Sequence, residues 1–424
     1  MVFYDSCVKI IDEMDAHITQ FLCLFCIVCF TKDYLIHYLI IVEFAFKKHK
    51  KGFILVVVVV IDCFVEKSNG AAVSANNLVQ MLRQKGHKVK VVAPHINGED
   101  SYRVEERYIP LVTEISHKQH MHFGKADRKI LKEAFSGADI VHFFLPFKLE
   151  IVGVKIAREM GIPFVCGFHL QPENITYNAH LKHIPFIHPF IFWLFKYRIY
   201  KYAKYIHCPS NLIADELKKH GYKANLRIIS NGFTARLKQM PKSKIDDFFH
   251  ITMTGRYTQE KRQDLLIEAV YLSKYEKQIK LHIKGLGPRE EEYKNLASKL
   301  TFGADLGFVS DDELSRLYSY TNLYVHTSDV DIESIATLEA ISNGITPIIS
   351  NSKTSATKQF ALNDDCLFEA GNAKDLSKKI DYFIENRDYL QELSTKYANF
   401  TKKYDLSSCV DQMIDFYKEI ISKH

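Results

Sequence analysis

No disulfide framework can be drawn on this 424-residue chain, because its nine cysteines are odd in number and scattered without paired spacing. That excludes a secreted disulfide scaffold and suits reduced thiols in a cytoplasm. Cys23, Cys26 and Cys29 share a spacing that iron–sulfur ligands can use. They are embedded among Phe21, Leu22, Leu24, Phe25, Ile27 and Val28, so they read as small apolar side chains. A charge excess is also missing: 56 basic against 50 acidic residues leave +6, which by itself implies neither nucleic acid nor a membrane. With 25% charged and 47% hydrophobic residues the usage is globular, which excludes extensive disorder.

The first fifty residues read neither as a signal peptide nor as an uninterrupted spanning segment, which leaves a membrane-associated appendage, one tilted interrupted span or an extension as the options. Apolar runs at 18–30 and 34–46 are separated by Thr31-Lys32-Asp33, and each is shorter than the ~20 residues a spanning helix requires. Asp5, Asp12, Glu13 and Asp15 ahead of them have the wrong sign for a signal-peptide start. Residues 1–50 are therefore expected to be an apolar appendage or extension.

Acidic residues are absent from 174–214, where Lys182, Lys196, Arg198, Lys201 and Lys204 interleave with Phe186, Phe190, Phe192, Trp193, Phe195, Tyr197, Tyr200 and Tyr202. A helix lying on an anionic lipid surface has this composition. So does a core-facing helix whose lysines snorkel into solvent. No nucleic-acid-binding signature accompanies the aromatics, and no nucleic-acid partner is expected.

What is present, from residue 51 onward, is an alternation of strand and helix patterns. Residues 53–61 form a continuous valine- and isoleucine-rich run, as a strand buried on both faces of a parallel sheet does. A loop over 62–70, a helix over 71–85 and a strand over 89–92 follow. Further strands are read at 140–144 and 163–166, with a helix near 150–160. A polar stretch over 234–247, carrying Pro241, reads as a linker. Beyond it come a strand at 250–254, a helix from Gln263, strands at 306–309 and 323–326, and helices at 374–386 and 406–422. The pattern predicts an α/β chain of doubly wound domains, 51–235 and 236–405, with a final helix in 406–424.

Doubly wound sheets bind ligands at loops after strand C-termini, and four such loops carry candidate chemistry. Gly70 ends the loop after the first strand, and His169 follows the strand at 163–166. Arg256 and Lys261 follow the strand at 250–254; a planar fork and a point charge there can converge on a diphosphate. After 323–326 comes Ser328-Asp329-Val330-Asp331-Ile332-Glu333-Ser334. Ser334 is a good N-cap, with Asn343-Gly344 as the helix stop. A carboxylate-rich loop running into a helix start suits an anionic, polyhydroxylated ligand.

Asp331 and Glu339 are eight apart, and with Ala340, Gly344 and Pro347-Ile348-Ile349 they resemble the E-x7-E signature of retaining glycosyltransferases of family 4. Asp331 stands for the first glutamate, Ile332 and Ser334 for two glycines, and Glu333 for an aromatic. Gly255-Arg256 to Glu260-Lys261 is similar to the family's G-R-L-x-x-E-K, and Gly285-Leu286-Gly287-Pro288 adds to it. The resemblance covers roughly 51–424 and implies a GT-B fold, two Rossmann-like domains facing a cleft, with 205–210 and 228–232 similar to the last two strand ends of the first domain and the final helix, 406–424, packing back across the cleft. It implies phosphate stabilisation by Arg256, Lys261 and the Ser334-Ile335 helix start, and donor hydroxyl recognition by Asp331 and Glu333. It further implies ribose binding by Glu339, a nucleobase against the backbone near Val309, close donor approach at Gly70 and acceptor-side positioning by His169.

The activity so implied is retaining transfer of a sugar from a nucleotide sugar, expected to be UDP-linked, to an acceptor hydroxyl. A membrane lipid such as diacylglycerol is the candidate acceptor, with an anionic membrane surface as partner. The expected location is cytoplasmic, peripheral at the inner face of the plasma membrane. No metal or other cofactor is expected, since the basic pair can neutralise the leaving diphosphate. Two alternatives share the fold: a sugar-nucleotide epimerase and a non-catalytic partner subunit. Retention of Arg256, Lys261 and Glu339 argues for activity.

Overall fold

The structure is a computed structural model that describes residues 54–65, 69–110, 112–117, 121–178, 181, 183–234, 237 and 240–424. The N-terminal apolar runs and Lys182 lie outside them.

Strand β1, Val56–Val60, is the valine run, and Val57 to Val60 are fully buried because neighbouring strands and covering helices take both faces. With β2 (Lys88–Pro94), β3 (Ser101–Val104), β4 (Ile140–Phe143), β5 (Phe164–Gly167), β6 (Tyr205–Cys208) and β7 (Asn225–Ile228) it builds a seven-stranded sheet ordered β3-β2-β1-β4-β5-β6-β7. Every pair is parallel. The second sheet uses β8 (Phe249–Thr254), β9 (Ile279–Lys284), β10 (Ala304–Gly307), β11 (Leu323–His326), β13 (Thr346–Ser350) and β15 (Leu367–Phe368), ordered β10-β9-β8-β11-β13-β15. Strands β12 (Val330–Asp331) and β14 (Thr354–Ser355) pair separately. Both large sheets place the first strand centrally, with the chain winding outward in each direction, as in Rossmann-like domains. Each has its own hydrophobic core.

Several boundaries differ from the sequence reading for local reasons. Gly70 is the first residue of the helix Gly70–Gln84 rather than part of a turn, because the Asn69 side chain caps that helix, accepting from the Ala71 amide at 3.0 Å. The strand expected at 306–309 ends at Gly307, whose φ of +111° turns the chain away, so Val309 lies on a loop. Edge strand β3 buries only Val104 and offers no apolar run to read. After Ala373–Glu385, a further helix, Arg387–Phe400, follows a one-residue break at Asn386.

The chain passes between the sheets twice at one place. Phe233 donates to the Tyr404 carbonyl at 3.0 Å, and Leu406 donates to the Phe233 carbonyl at 3.1 Å. Gly232 is required there: its φ is +69°, and a Cβ would lie 2.8 Å from Leu406 Cα. The C-terminal helix Leu406–Ser422 then returns to the first sheet. Its Tyr417 hydroxyl meets His142 Nδ1 at 2.7 Å, Asp411 pairs with Lys85 at 2.8 Å, and Glu419 pairs with Arg227.

Candidate active site

Three loops at the C-terminal ends of β8, β9 and β10 are joined through their backbones. Tyr257 donates to the Leu286 carbonyl at 2.9 Å, and Gly285 donates to the Gly307 carbonyl at 3.1 Å. A Cβ on Gly285 would fall 1.9 Å from the Gly255 carbonyl oxygen, and one on Gly287 2.5 Å from that of Tyr257. The glycine pair is therefore what lets these loops touch. Buried Tyr257 locks them, its hydroxyl donating to the Ile283 carbonyl and accepting from the Gly307 amide.

This frame fixes Arg256 and the short turn to Lys261. Lys261 Nζ lies 2.5 Å from Asp331 Oδ1, and His326 Nε2 lies 2.7 Å from Asp331 Oδ2. Burial alone would raise the Asp331 carboxyl, but the Lys261 charge and the His326 hydrogen bond outweigh it and hold the group well below the usual carboxylate range. Burial keeps His326 from gaining a proton readily, so a neutral ring donating from Nε2 fits the pair. Arg256 sits 3.6 Å from the wholly buried Glu260. Both bases thus face a carboxylate. Strand position could have flagged His326, which ends β11 where such sheets bind ligands; Glu260 stands in the motif that resembles G-R-L-x-x-E-K, but its pairing with Arg256 is not readable from it.

Glu333 is nine-tenths buried and reaches across to the first domain, accepting the Asn231 amide at 2.8 Å. Burial pushes its carboxyl up to about 7, only partly offset by the Ser230 side chain and by Asn231, and Oε1 has no partner among the described residues. Ser334 caps the helix Ile335–Ser342, accepting from the Thr337 amide at 3.3 Å and its hydroxyl at 2.9 Å. Glu339 lies buried inside that helix, and Ile335, at its start, packs on the second core. Asp329 accepts from Tyr177 of the first domain at 3.2 Å and from Arg262 at 3.3 Å. Val309 packs in a small cluster with Leu314, Leu317 and Tyr318. A Cβ on Gly70 would meet nothing within 4 Å, so the space beside that helix start is open.

In the first domain His169 is buried and stacked on Phe144 at 4.6 Å. Burial holds it well below the ordinary imidazole range. One ring nitrogen each from His142, His169 and His207 lies within 4.8 Å of the others, and a second group, His95, Glu106 and His122, converges similarly in a more exposed place. Both could hold a metal ion, and neither was singled out from sequence. Next to His169, Gln171 crosses to the second domain, donating to the Thr354 carbonyl at 3.3 Å.

Two Rossmann-like domains, with a basic pair and a carboxylate-rich helix start on the loops of the second, define a GT-B glycosyltransferase. Glycosyltransferase Family 4 matches residues 68–236, and Glycosyl transferases group 1 matches residues 235–403. The chain belongs to glycosyltransferase family 4 and is a glycosyltransferase. It is 24% identical over 319 residues to alpha-monoglucosyldiacylglycerol synthase of Streptococcus pneumoniae, covering 68% of this chain and 69% of that protein. Over 37% of this chain and 99% of the other, it is 49% identical to the catalytic domain of cholesterol-alpha-glucosyltransferase from Helicobacter pylori, with a TM-score of 0.35. Sucrose-phosphate synthase from Thermosynechococcus elongatus is 14% identical but shares the fold, with a TM-score of 0.69 over 87% of this chain and all of that one.

Proposed function

We propose that this protein transfers a sugar from a UDP-linked donor, with retention at the anomeric carbon, to the hydroxyl of a membrane lipid. One observation carries the acceptor. Phe186, Phe190, Trp193 and Tyr197 are respectively 83%, 53%, 54% and 54% exposed. Spacings of four, three and four align them along one side of the helix Ile187–Arg198 and its N-cap. A continuous exposed aromatic stripe marks an interaction surface. The buried side of the same helix carries Phe192 and Phe195, which pack on Phe168, the neighbour of His169. Burying the stripe in a bilayer would thus bring lipid hydroxyls toward the His169 loop. The relative named for glucosylating a diacylglycerol supports a lipid acceptor.

On the donor side, the diphosphate displaces Asp331 as the partner of Lys261, with Arg256 and the Ser334-Ile335 helix start completing the anion site. Asp331, still held by His326, turns to a donor hydroxyl. Glu339 holds the ribose, and backbone at Gly70 and Val309 flanks the diphosphate and base. Glu333 joins the domains through Asn231 while lying beside the donor hydroxyls. The uridine choice follows the family resemblance. Because the basic pair neutralises the leaving group, added Mg2+ or Mn2+ is expected to leave turnover unchanged.

The test offers labelled UDP- and GDP-sugars to the full-length protein with anionic vesicles containing diacylglycerol or a sterol. Label from the UDP-sugar should enter the organic phase as a glycolipid that keeps the donor's anomeric configuration by NMR. Label recovered only in aqueous product overturns the lipid acceptor, and transfer from GDP-sugar alone overturns the nucleotide. An inverted product overturns retention, and an epimerised donor without transfer makes the protein an epimerase.

A further inference from the structure

We propose that His142, His169 and His207 form a buried site for one first-row transition-metal ion of the zinc class, set in the first sheet beneath the acceptor-side loop. Strands β4, β5 and β6 are adjacent, and they bring together rings that are 27 and 38 residues apart in sequence. His142 Nε2, His169 Nε2 and His207 Nδ1 are all buried without a hydrogen-bond partner among the described residues. Native interiors pair nearly all such atoms, so three orphans at one point call for an occupant.

The outer nitrogens of His207 and His142 are arranged as metal-binding imidazoles require. His207 Nε2 donates to the Ile229 carbonyl at 2.8 Å, which leaves Nδ1 as a bare lone pair facing inward. His142 Nδ1 meets the Tyr417 hydroxyl at 2.7 Å. Gly167 supplies the room, since a Cβ there would lie 2.5 Å from His169 Nε2 and 3.2 Å from His142 Nε2. Zinc–nitrogen bonds of about 2.0–2.1 Å in a tetrahedron set nitrogens about 3.4 Å apart, so the rings need close by only ~1 Å from their present positions. The fourth position remains for water. A buried water alone could also bridge the three nitrogens; outer hydrogen bonds that orient two of the three imidazoles, His142 and His207, favour the metal. The ion would tie three strands to the C-terminal helix through Tyr417, independently of the donor diphosphate.

The experiment uses the full-length protein, expressed with zinc or cobalt and dialysed, with metal content measured by plasma mass spectrometry. About one tightly held equivalent is expected, with intense tetrahedral d–d absorption for cobalt. X-ray absorption of the zinc form should show three imidazole nitrogens. Tyr417→Phe, which preserves shape, should weaken binding 10- to 100-fold, and the His142→Gln/His207→Gln pair should abolish it. Less than a tenth of an equivalent overturns the site and leaves water as the occupant. Undiminished binding in the double variant, a carboxylate in the zinc shell, or unchanged affinity in Tyr417→Phe would assign the metal to the exposed His95, Glu106 and His122 group instead. If the double variant does not fold, the wild-type spectra and Tyr417→Phe still decide.

Discussion

Lys261 and Asp331 are 70 residues apart in sequence yet stand 2.5 Å apart, and the histidine on the other side of Asp331 is five residues before it. The arrangement stores a cation next to the proposed diphosphate position by neutralising it until the donor arrives. Removing either base should therefore act on the transition state: Arg256→Ala or Lys261→Ala should cut turnover by at least ~10²-fold with the fold retained by circular dichroism. Near-normal turnover in both would sink the phosphate assignment. Glu339→Gln should instead raise the dissociation constant of free UDP, and an unchanged constant would count against the ribose role. Glu333 makes a pH prediction. Its carboxyl is raised by burial from 4.5 to about 7 in the folded chain, so between those values the folded state holds more protons than the unfolded one. The stability it contributes is complete below pH ~4.5 and lost as pH rises through ~7. Melting temperature should fall from pH 5 to pH 8 more in the wild type than in Glu333→Gln, which keeps an acceptor for Asn231; parallel curves would refute the assignment.

At the scale of elements, the donor loops are held by backbone contact that only glycine permits. Gly285→Ala forces a methyl group to within 1.9 Å of the Gly255 carbonyl, and overpacking of this kind costs about 1–3 kcal/mol. The variant should melt several degrees lower and lose turnover as Arg256 shifts; unchanged melting and turnover would show the loops can separate freely. Such contacts bound what a sequence can reveal. The valine run of β1, the start of the helix at Gln263, the Ser334 cap and the helix Leu406–Ser422 were all legible, because periodicity and capping are local. The Lys261–Asp331 pair, the Glu333–Asn231 bond and the convergence of His142, His169 and His207 were not, because each depends on sheet order or on two domains meeting. The exposed edge strand β3 left no apolar signature at all.

For the molecule as a whole, the proposed lipid acceptor requires a membrane contact other than a spanning helix, since no helix among the described residues is long and apolar enough to cross a membrane. The helix Ile187–Arg198 answers with division of labour. Ile191, Phe192 and Phe195 enter the core while Phe190, Trp193 and Tyr197 face out, so one side of this segment packs on the core and the other is left for the proposed membrane contact. The basic residues divide as well. Lys196 turns inward to the His220 carbonyl at 3.4 Å and over Tyr222, whereas Arg198, Lys201 and Lys204 are exposed. Lys201 lies 3.8 Å above the Tyr197 ring, which keeps a positive charge at the edge of the aromatic stripe. Each exposed base near an anionic surface contributes roughly 1 kcal/mol, and the attraction is screened within about 10 Å at 0.1 M salt. Aromatic burial is indifferent to salt. The full-length protein should therefore sediment with anionic vesicles more than with neutral ones at low salt, and the difference should shrink at high salt. Changing Arg198, Lys201 and Lys204 to Gln should erase the anionic preference, while Phe190→Ala with Trp193→Ala should weaken binding to both vesicle types. If neither set alters sedimentation, this helix is not the membrane contact, and the acceptor is to be sought among soluble or polymer-bound hydroxyls.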